Sequence, residues 1–204
     1  MLEYVVRQTA AYMESMPKQI RKKSGQFFTS IETARFMAGL FAIPAQPEIT
    51  ILDPGAGTGI LTAALLERIS AIPAVERVHL ICYETDEKII PVLEDNLRYV
   101  TAHCLKKADY ELRTLNYITS QENAFNGCLF PESGITCDLC IGNPPYMKIG
   151  KDAPEAKAMP AICYGAPNLY FLFAAMSLFN VRDGGEMVYI IPRSWTSGMY
   201  FKRF

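Results

Sequence analysis

Two spacings of apolar residues alternate along the chain. Leu2, Val5, Val6, Met13 and Met16, with Thr9 on the same face, recur every three to four residues and predict an amphipathic helix ended near Pro17. The run Thr29-Ser30-Ile31-Glu32 places a hydroxyl three positions ahead of a Glu, a capping-box signal that predicts a second helix over residues 30–41, closed by Pro44 and Pro47. From residue 48 onward, short apolar runs at 49–52, 78–83, 112–118, 137–141 and 187–191 predict five strands. Between them, helical spacing predicts helices over 58–70, 86–107 with an irregularity at Pro91, and 169–179. Strand and helix in alternation build an α/β fold, a doubly wound, mostly parallel sheet with helices on both faces. Residues 147–167 fall outside this pattern and are long enough to predict a lid, and residues 120–136 read as a polar crossing.

Composition bounds the picture. At 204 residues, 50% hydrophobic and 20% charged, the chain can bury a core without disulfide or metal staples. It reads as a single domain, with the helices of residues 1–47 packed on a core of residues 48–204. No apolar run approaches the roughly 20 residues of a membrane span. Glu3 and Arg7 interrupt the N-terminus where a signal peptide would be apolar, so a cytoplasmic location without membrane attachment is expected. The six cysteines fit reduced thiols; only Cys137 and Cys140 have ligand-like spacing, no second pair matches them, and no metal is expected. A net charge of −1 excludes binding of nucleic acid by bulk positive charge. Local contacts remain open, because residues 1–35 hold six basic side chains against three acidic ones, including the loop from Lys18 to Ser24.

Three strand ends carry candidate chemistry. Asp53-Pro54-Gly55-Ala56-Gly57-Thr58-Gly59 follows the first strand and opens a helix, where glycines let the backbone turn sharply and approach a ligand. Its spacing is G-x-G-x-G, not the G-x-G-x-x-G of dinucleotide binders. Glu84 ends the second strand, the position from which a carboxylate accepts hydrogen bonds from both ribose hydroxyls of an adenosyl group. Asn143-Pro144-Pro145-Tyr146 follows the fourth strand, and four specified positions at about 5% usage each arise by chance only about once in a thousand chains of this length. This last constellation suits methyl transfer to a planar nitrogen. The lone pair of such a nitrogen is delocalised, and two hydrogen bonds accepted from its N–H groups return electron density to it. Asn143 Oδ1 and the Pro144 carbonyl would be those acceptors, held by the rigid prolines, with Tyr146 stacked on the substrate. The chemistry requires no general base and no metal.

Together these residues resemble the class I S-adenosylmethionine-dependent methyltransferases, which have a Rossmann-like fold, and more narrowly the N6-adenine DNA methylases of restriction-modification systems. The resemblance covers almost the whole chain. Ser24-Gly25-Gln26-Phe27-Phe28-Thr29-Ser30 is similar to the motif that holds the methionine end of the cofactor, so Phe28 and Thr29 are implied cofactor contacts. Asp53, Pro54, Gly55, Ala56, Gly57 and Gly59 match the cofactor loop, Glu84 the ribose position and Asn143 to Tyr146 the catalytic motif, Asn143 also facing the cofactor. The family places an Asp-Phe pair after the third strand, at the cofactor adenine; here Phe125 follows Ala124, with Glu122 and Asn123 as the polar candidates. The resemblance implies S-adenosyl-L-methionine as cofactor and double-stranded DNA as partner, with the target adenine flipped into the site. It also implies a restriction endonuclease or specificity module as a further partner. Against the family pattern, the chain is expected to be an amino-terminal catalytic fragment that lacks the final hairpin and a target-recognition domain. Two alternatives share features with it. A glutamine methyltransferase of release factors, or a ribosomal RNA methyltransferase, would use the same Asn-Pro-Pro-Tyr motif, although the former carries a separate helical domain where only about fifty residues precede Asp53. The other is a non-catalytic cofactor-binding fragment.

Overall fold

The computed structural model describes residues 1–15, 28–128, 134–163 and 167–193. Helices α1 (Leu2–Ser15) and α2 (Ile31–Gly39) precede β1 (Glu48–Asp53), α3 (Ile60–Ser70), β2 (Arg77–Tyr83), α4 (Ile90–Ala102) and β3 (Lys107–Arg113). Then follow α5 (Tyr117–Ser120), α6 (Glu122–Phe125), β4 (Cys137–Gly142), α7 (Pro154–Ala158), α8 (Leu169–Asn180) and β5 (Val181–Tyr189). All strand pairings are parallel, in the order β3-β2-β1-β4-β5. The order reverses between β1 and β4, and the crevice beyond the carboxyl ends of those two strands is where a doubly wound sheet receives its ligand.

Alternation along the central strands divides the interior in two. Ile49, Ile51, Val78, Leu80, Leu139 and Ile141 face α1 to α4. Leu52, Ile81, Tyr83, Cys137 and Cys140 face α5, α7 and α8. Burial on both faces explains why β4 reads as a continuous apolar run, with every residue from Cys137 to Gly142 buried. Helix α1 belongs to this body, since Leu2 and Val5 are fully buried and Thr9 Oγ1 meets Thr58 Oγ1 at 2.6 Å.

Several sequence-based expectations require correction. Ser30, not Thr29, caps α2, its hydroxyl accepting from Thr33 N at 3.2 Å. The helix expected over 86–107 spans only Ile90–Ala102; Pro91 lies in its first turn, where a missing N–H costs nothing, so the proline marks the helix start and not an interior irregularity. The third strand is Lys107–Arg113, not 112–118. It lies at the sheet edge, so only Ala108, Tyr110 and Leu112 turn inward while Lys107, Asp109 and Glu111 are exposed, and no apolar run marks it. The fifth strand begins at Val181, not at residue 187, and tolerates Gly184 at φ 77° and Gly185 against the Asp138 carbonyl opposite a register shift in β4. The described part of the expected lid is a packed excursion. Ile149 N donates to Pro167 O at 3.0 Å and Leu169 N to Met147 O at 2.8 Å, closing its neck, while Ala156, Ala158 and Met159 are buried. The basic loop 18–24, and with it residues 24–27 of the cofactor motif, lies outside the described residues.

Gly142 ends β4 immediately before Asn143, and a Cβ there would lie 2.6 Å from Tyr189 Cε1. The ring cannot withdraw cheaply, because Tyr189 Oη and Ser177 Oγ are 2.6 Å apart in a partly buried hydrogen bond. Gly142→Ala is therefore expected to cost about 1–3 kcal/mol by overpacking, read by denaturant unfolding. Adding Tyr189→Leu should recover part of the loss. Equal stability of Gly142→Ala and the parent would show that this contact does not set the strand end.

Candidate active site

The chain leaves β1 at Asp53 and turns through residues 54–59 into α3. Gly57 (φ 55°) and Gly59 (φ 86°) take the left-handed conformation that a Cβ disfavours. The turn is tied to the neighbouring strand by Ala56 N, which donates to Tyr83 O at 2.9 Å. One residue on, Glu84 Oε2 accepts from Gly57 N at 3.0 Å, while Oε1 accepts from Thr85 N at 2.7 Å and Asp86 N at 2.8 Å. Burial pushes the Glu84 carboxyl up, and these three amides work against the shift. They occupy three of the roughly four acceptor positions of a carboxylate, so a ribose diol finds about one open position unless the Gly57 amide gives way.

Asp53 lies beneath this loop. Its Oδ2 accepts from Thr62 Oγ1 at 2.7 Å, and Oδ1 is buried with no hydrogen-bond partner among the described residues. Burial pushes its carboxyl up to about 7 from an ordinary 3.8, opposed by the Thr62 hydroxyl and reinforced by Glu84. An acid raised on folding holds its proton more tightly in the folded state. Its contribution to stability is therefore complete below about pH 4 and is lost as pH rises through about 7. Asp53→Asn should flatten the fall in thermal midpoint between about pH 5 and pH 8; an unchanged slope would remove Asp53 as its source.

The Asn-Pro-Pro-Tyr segment extends from β4 on the other side of the switch point. Asn143 Nδ2 donates to Thr29 Oγ1 at 3.2 Å, which fixes which way the amide faces. Tyr146 Oη donates to Asn143 Oδ1 at 2.7 Å and has Ile190 O as a second acceptor at 2.8 Å. The Tyr146 hydroxyl thus lies on the atom assigned to the substrate amine. An incoming N–H can take its place without stranding the hydroxyl, because Ile190 O remains. The Tyr146 ring meets Tyr170 edge-on at 6.1 Å.

These elements enclose a cleft of about 340 Å³, within the usual range of small-ligand sites. Of the residues expected from sequence, Phe28, Pro54, Gly55, Gly57 and Glu84 line it from the β1 and β2 side, and Asn143, Pro144, Pro145 and Tyr146 from the β4 side. Thr29, Asp53, Ala56 and Gly59 stand behind the wall as supports. Sequence reasoning missed Tyr83, Leu115, Asn116, Tyr117, Glu155 and Phe173, which also face the cleft. Glu122, Asn123 and Ala124 do not line it; they lie in or beside α6, and the residues that follow β3 into the site are Leu115, Asn116 and Tyr117. That error follows from the misplaced third strand, since the polar-aromatic pair Asn116-Tyr117 is visible once the strand is ended at Arg113.

The arrangement fits an adenosyl cation. The described lining carries two carboxylates, Glu84 and Glu155, and no basic side chain. Apolar faces from Ile89, Leu115 and Phe173 suit a planar ring. Tyr12 of α1 meets Phe28 edge-on at 6.2 Å, and its hydroxyl is buried without a hydrogen-bond partner among the described residues. Burial, then Asp86 and Glu84, push that hydroxyl up. Among the described residues, no three His, Cys, Asp or Glu side chains gather as a metal-holding group, and no helix is long and apolar enough to cross a membrane.

A parallel sheet with a glycine turn after β1, a carboxylate after β2 and Asn-Pro-Pro-Tyr after β4, all at one switch point, defines the Rossmann-like class I methyltransferase fold. Residues 74–204 match the Eco57I restriction-modification methylase model, and the chain belongs to that family. It is 34% identical over 190 residues to the type II methyltransferase M.BsuBI of Bacillus subtilis, a match covering 90% of this chain and 36% of that one. The chain therefore spans about a third of the length of this curated relative. Among solved structures it resembles a protein assigned as a modification subunit of a type I restriction enzyme from Vibrio vulnificus, with TM-score 0.65, 18% identity, and coverage of 94% of this chain and 40% of that one. It also resembles a protein assigned as a class I S-adenosylmethionine-dependent methyltransferase from Listeria monocytogenes, with TM-score 0.59, 18% identity, and coverage of 89% and 53%.

Proposed function

We propose that the protein transfers a methyl group from S-adenosyl-L-methionine to the exocyclic N6 of adenine in double-stranded DNA, as the modification activity of a restriction-modification system. The observation that carries the reading is the meeting of Asn143-Pro144-Pro145-Tyr146 with Glu84 and the Gly57 turn in one cleft. The cofactor supplies an electrophilic methyl group when bound. The chain's own residues do the rest. Glu84 accepts from the ribose, and the Gly57 turn allows the backbone close approach. Asn143 Oδ1 and the Pro144 carbonyl accept the two N–H groups of the target amine, which restores density to its lone pair. Tyr146 stacks on the base, which is taken out of the duplex at a cost of a few kcal/mol. Membership of the restriction-modification family favours DNA over a release factor or ribosomal RNA, and a restriction endonuclease or specificity module as partner.

Incubation of the protein with methyl-labelled cofactor and either duplex DNA or a bacterial extract distinguishes the readings. Label in DNA is expected. Label in a protein or in ribosomal RNA would favour the rivals that share the motif, and cofactor binding without transfer to any acceptor would favour a binding fragment.

A further inference from the structure

We infer that Glu155 selects a 6-aminopurine nucleoside in the cleft by accepting a hydrogen bond from its exocyclic amine, with Asn116 orienting the carboxylate. This rests on the cofactor reading above and adds a specificity-determining residue to it. Asn116 follows β3 into the cleft, but its amide oxygen is already engaged. Its Oδ1 caps α5, taking Ile118 N at 3.1 Å and Thr119 N at 3.2 Å. Its remaining group is a donor, and Nδ2 gives its hydrogen bond to Glu155 Oε1 at 2.8 Å. The acceptor that this pair offers to the cleft is therefore the Glu155 carboxylate, which lines it. Glu155 Oε2 has no hydrogen-bond partner among the described residues and remains to accept an N–H.

The carboxylate is held in place from both sides. It sits on α7, between Pro154 and the fully or nearly buried Ala156 and Ala158, in the excursion whose neck is closed by the backbone bonds of Ile149 and Leu169. Asn116 is fixed in turn by its cap. A 6-oxopurine would present an oxygen to this carboxylate instead of a donor, so the site repels it as well as failing to bond it. The contact also ties nucleoside binding to the 147–167 excursion, which a carboxylate on β3 or α5 would not do.

Calorimetric titration with S-adenosylhomocysteine and with S-inosylhomocysteine tests the assignment without turnover. The parent should bind the adenosyl compound at least about 30-fold more tightly, and Glu155→Gln should narrow the ratio to within about 3-fold, because an amide can either accept from the amine or donate to the oxo group. Asn116→Ala should narrow it less, and the unfolding midpoint of Glu155→Gln reports that the fold is kept. A ratio unchanged in Glu155→Gln overturns the inference while leaving the cofactor reading intact. A Glu155→Gln effect confined to the KM for DNA also overturns it, since Glu155 would then serve the acceptor. Failure of the parent to bind S-adenosylhomocysteine at all would overturn both.

Discussion

Asn143→Ala is expected to lower methyl transfer to DNA by about a thousand-fold or more, with cofactor affinity reduced no more than several-fold. The asymmetry follows from where charge develops. A delocalised exocyclic nitrogen gains nucleophilicity only as it becomes tetrahedral, and an acceptor facing its N–H groups is worth more at that point than in the bound ground state. Loss of one group of this kind costs about 10² to 10³ in kcat. Here the loss also removes the amide that Thr29 and Tyr146 jointly hold, with Nδ2 on Thr29 Oγ1 and Oδ1 under the Tyr146 hydroxyl. Tyr146→Phe makes a useful contrast. It keeps the ring and removes only a hydroxyl that competes for Asn143 Oδ1, so a change of less than about tenfold is expected. A loss in Tyr146→Phe as large as that in Asn143→Ala would mean that the phenol itself takes part in the chemistry.

The second large effect falls on cofactor binding. Glu84→Ala should weaken S-adenosylmethionine by about 100-fold, equivalent to about 2.7 kcal/mol. Two causes add. The ribose loses a charged acceptor, a bond worth about 1.5–3 kcal/mol. The Gly57 amide, which Glu84 Oε2 now holds at 3.0 Å, also loses the contact that joins the glycine turn to the end of β2. Glu84→Gln should recover little, because an amide nitrogen would face backbone N–H groups on one of its two sides. Titration calorimetry measures both variants, and an affinity unchanged in Glu84→Ala would remove Glu84 from the cofactor site.

Much of this site is legible before any coordinates. Strands buried on both faces announce themselves as apolar runs, and β1, β2 and β4 are that kind, so the residues following them were placed correctly. Edge strands are different. β3 buries one face and alternates Lys107, Asp109 and Glu111 with its inward residues, so no apolar run marks it; the run at 112–118 predicts the strand too late and takes Asn116 and Tyr117 into it instead of leaving them at its end. The first half of β5, Val181 to Glu186, carries Arg182, Asp183 and two glycines and so shows no apolar run; the Gly185 backbone packs against the Asp138 carbonyl, where a Cβ would lie only 2.7 Å away. The contact between Asn116 and Glu155 joins residues 39 apart through a short helix that carries no strong periodic signal. Nothing local in either segment specifies it.

On the proposed function, Asn143-Pro144-Pro145-Tyr146 and the Glu84 cleft act together to methylate the exocyclic amine of adenine in DNA. The most direct test of that function is nucleoside mass spectrometry of duplex DNA after incubation with the protein and cofactor, with Asn143→Ala as the paired control. N6-methyladenine is expected with the parent and none above background with the variant. N4-methylcytosine or 5-methylcytosine in its place, or N6-methyladenine persisting with Asn143→Ala, would contradict it.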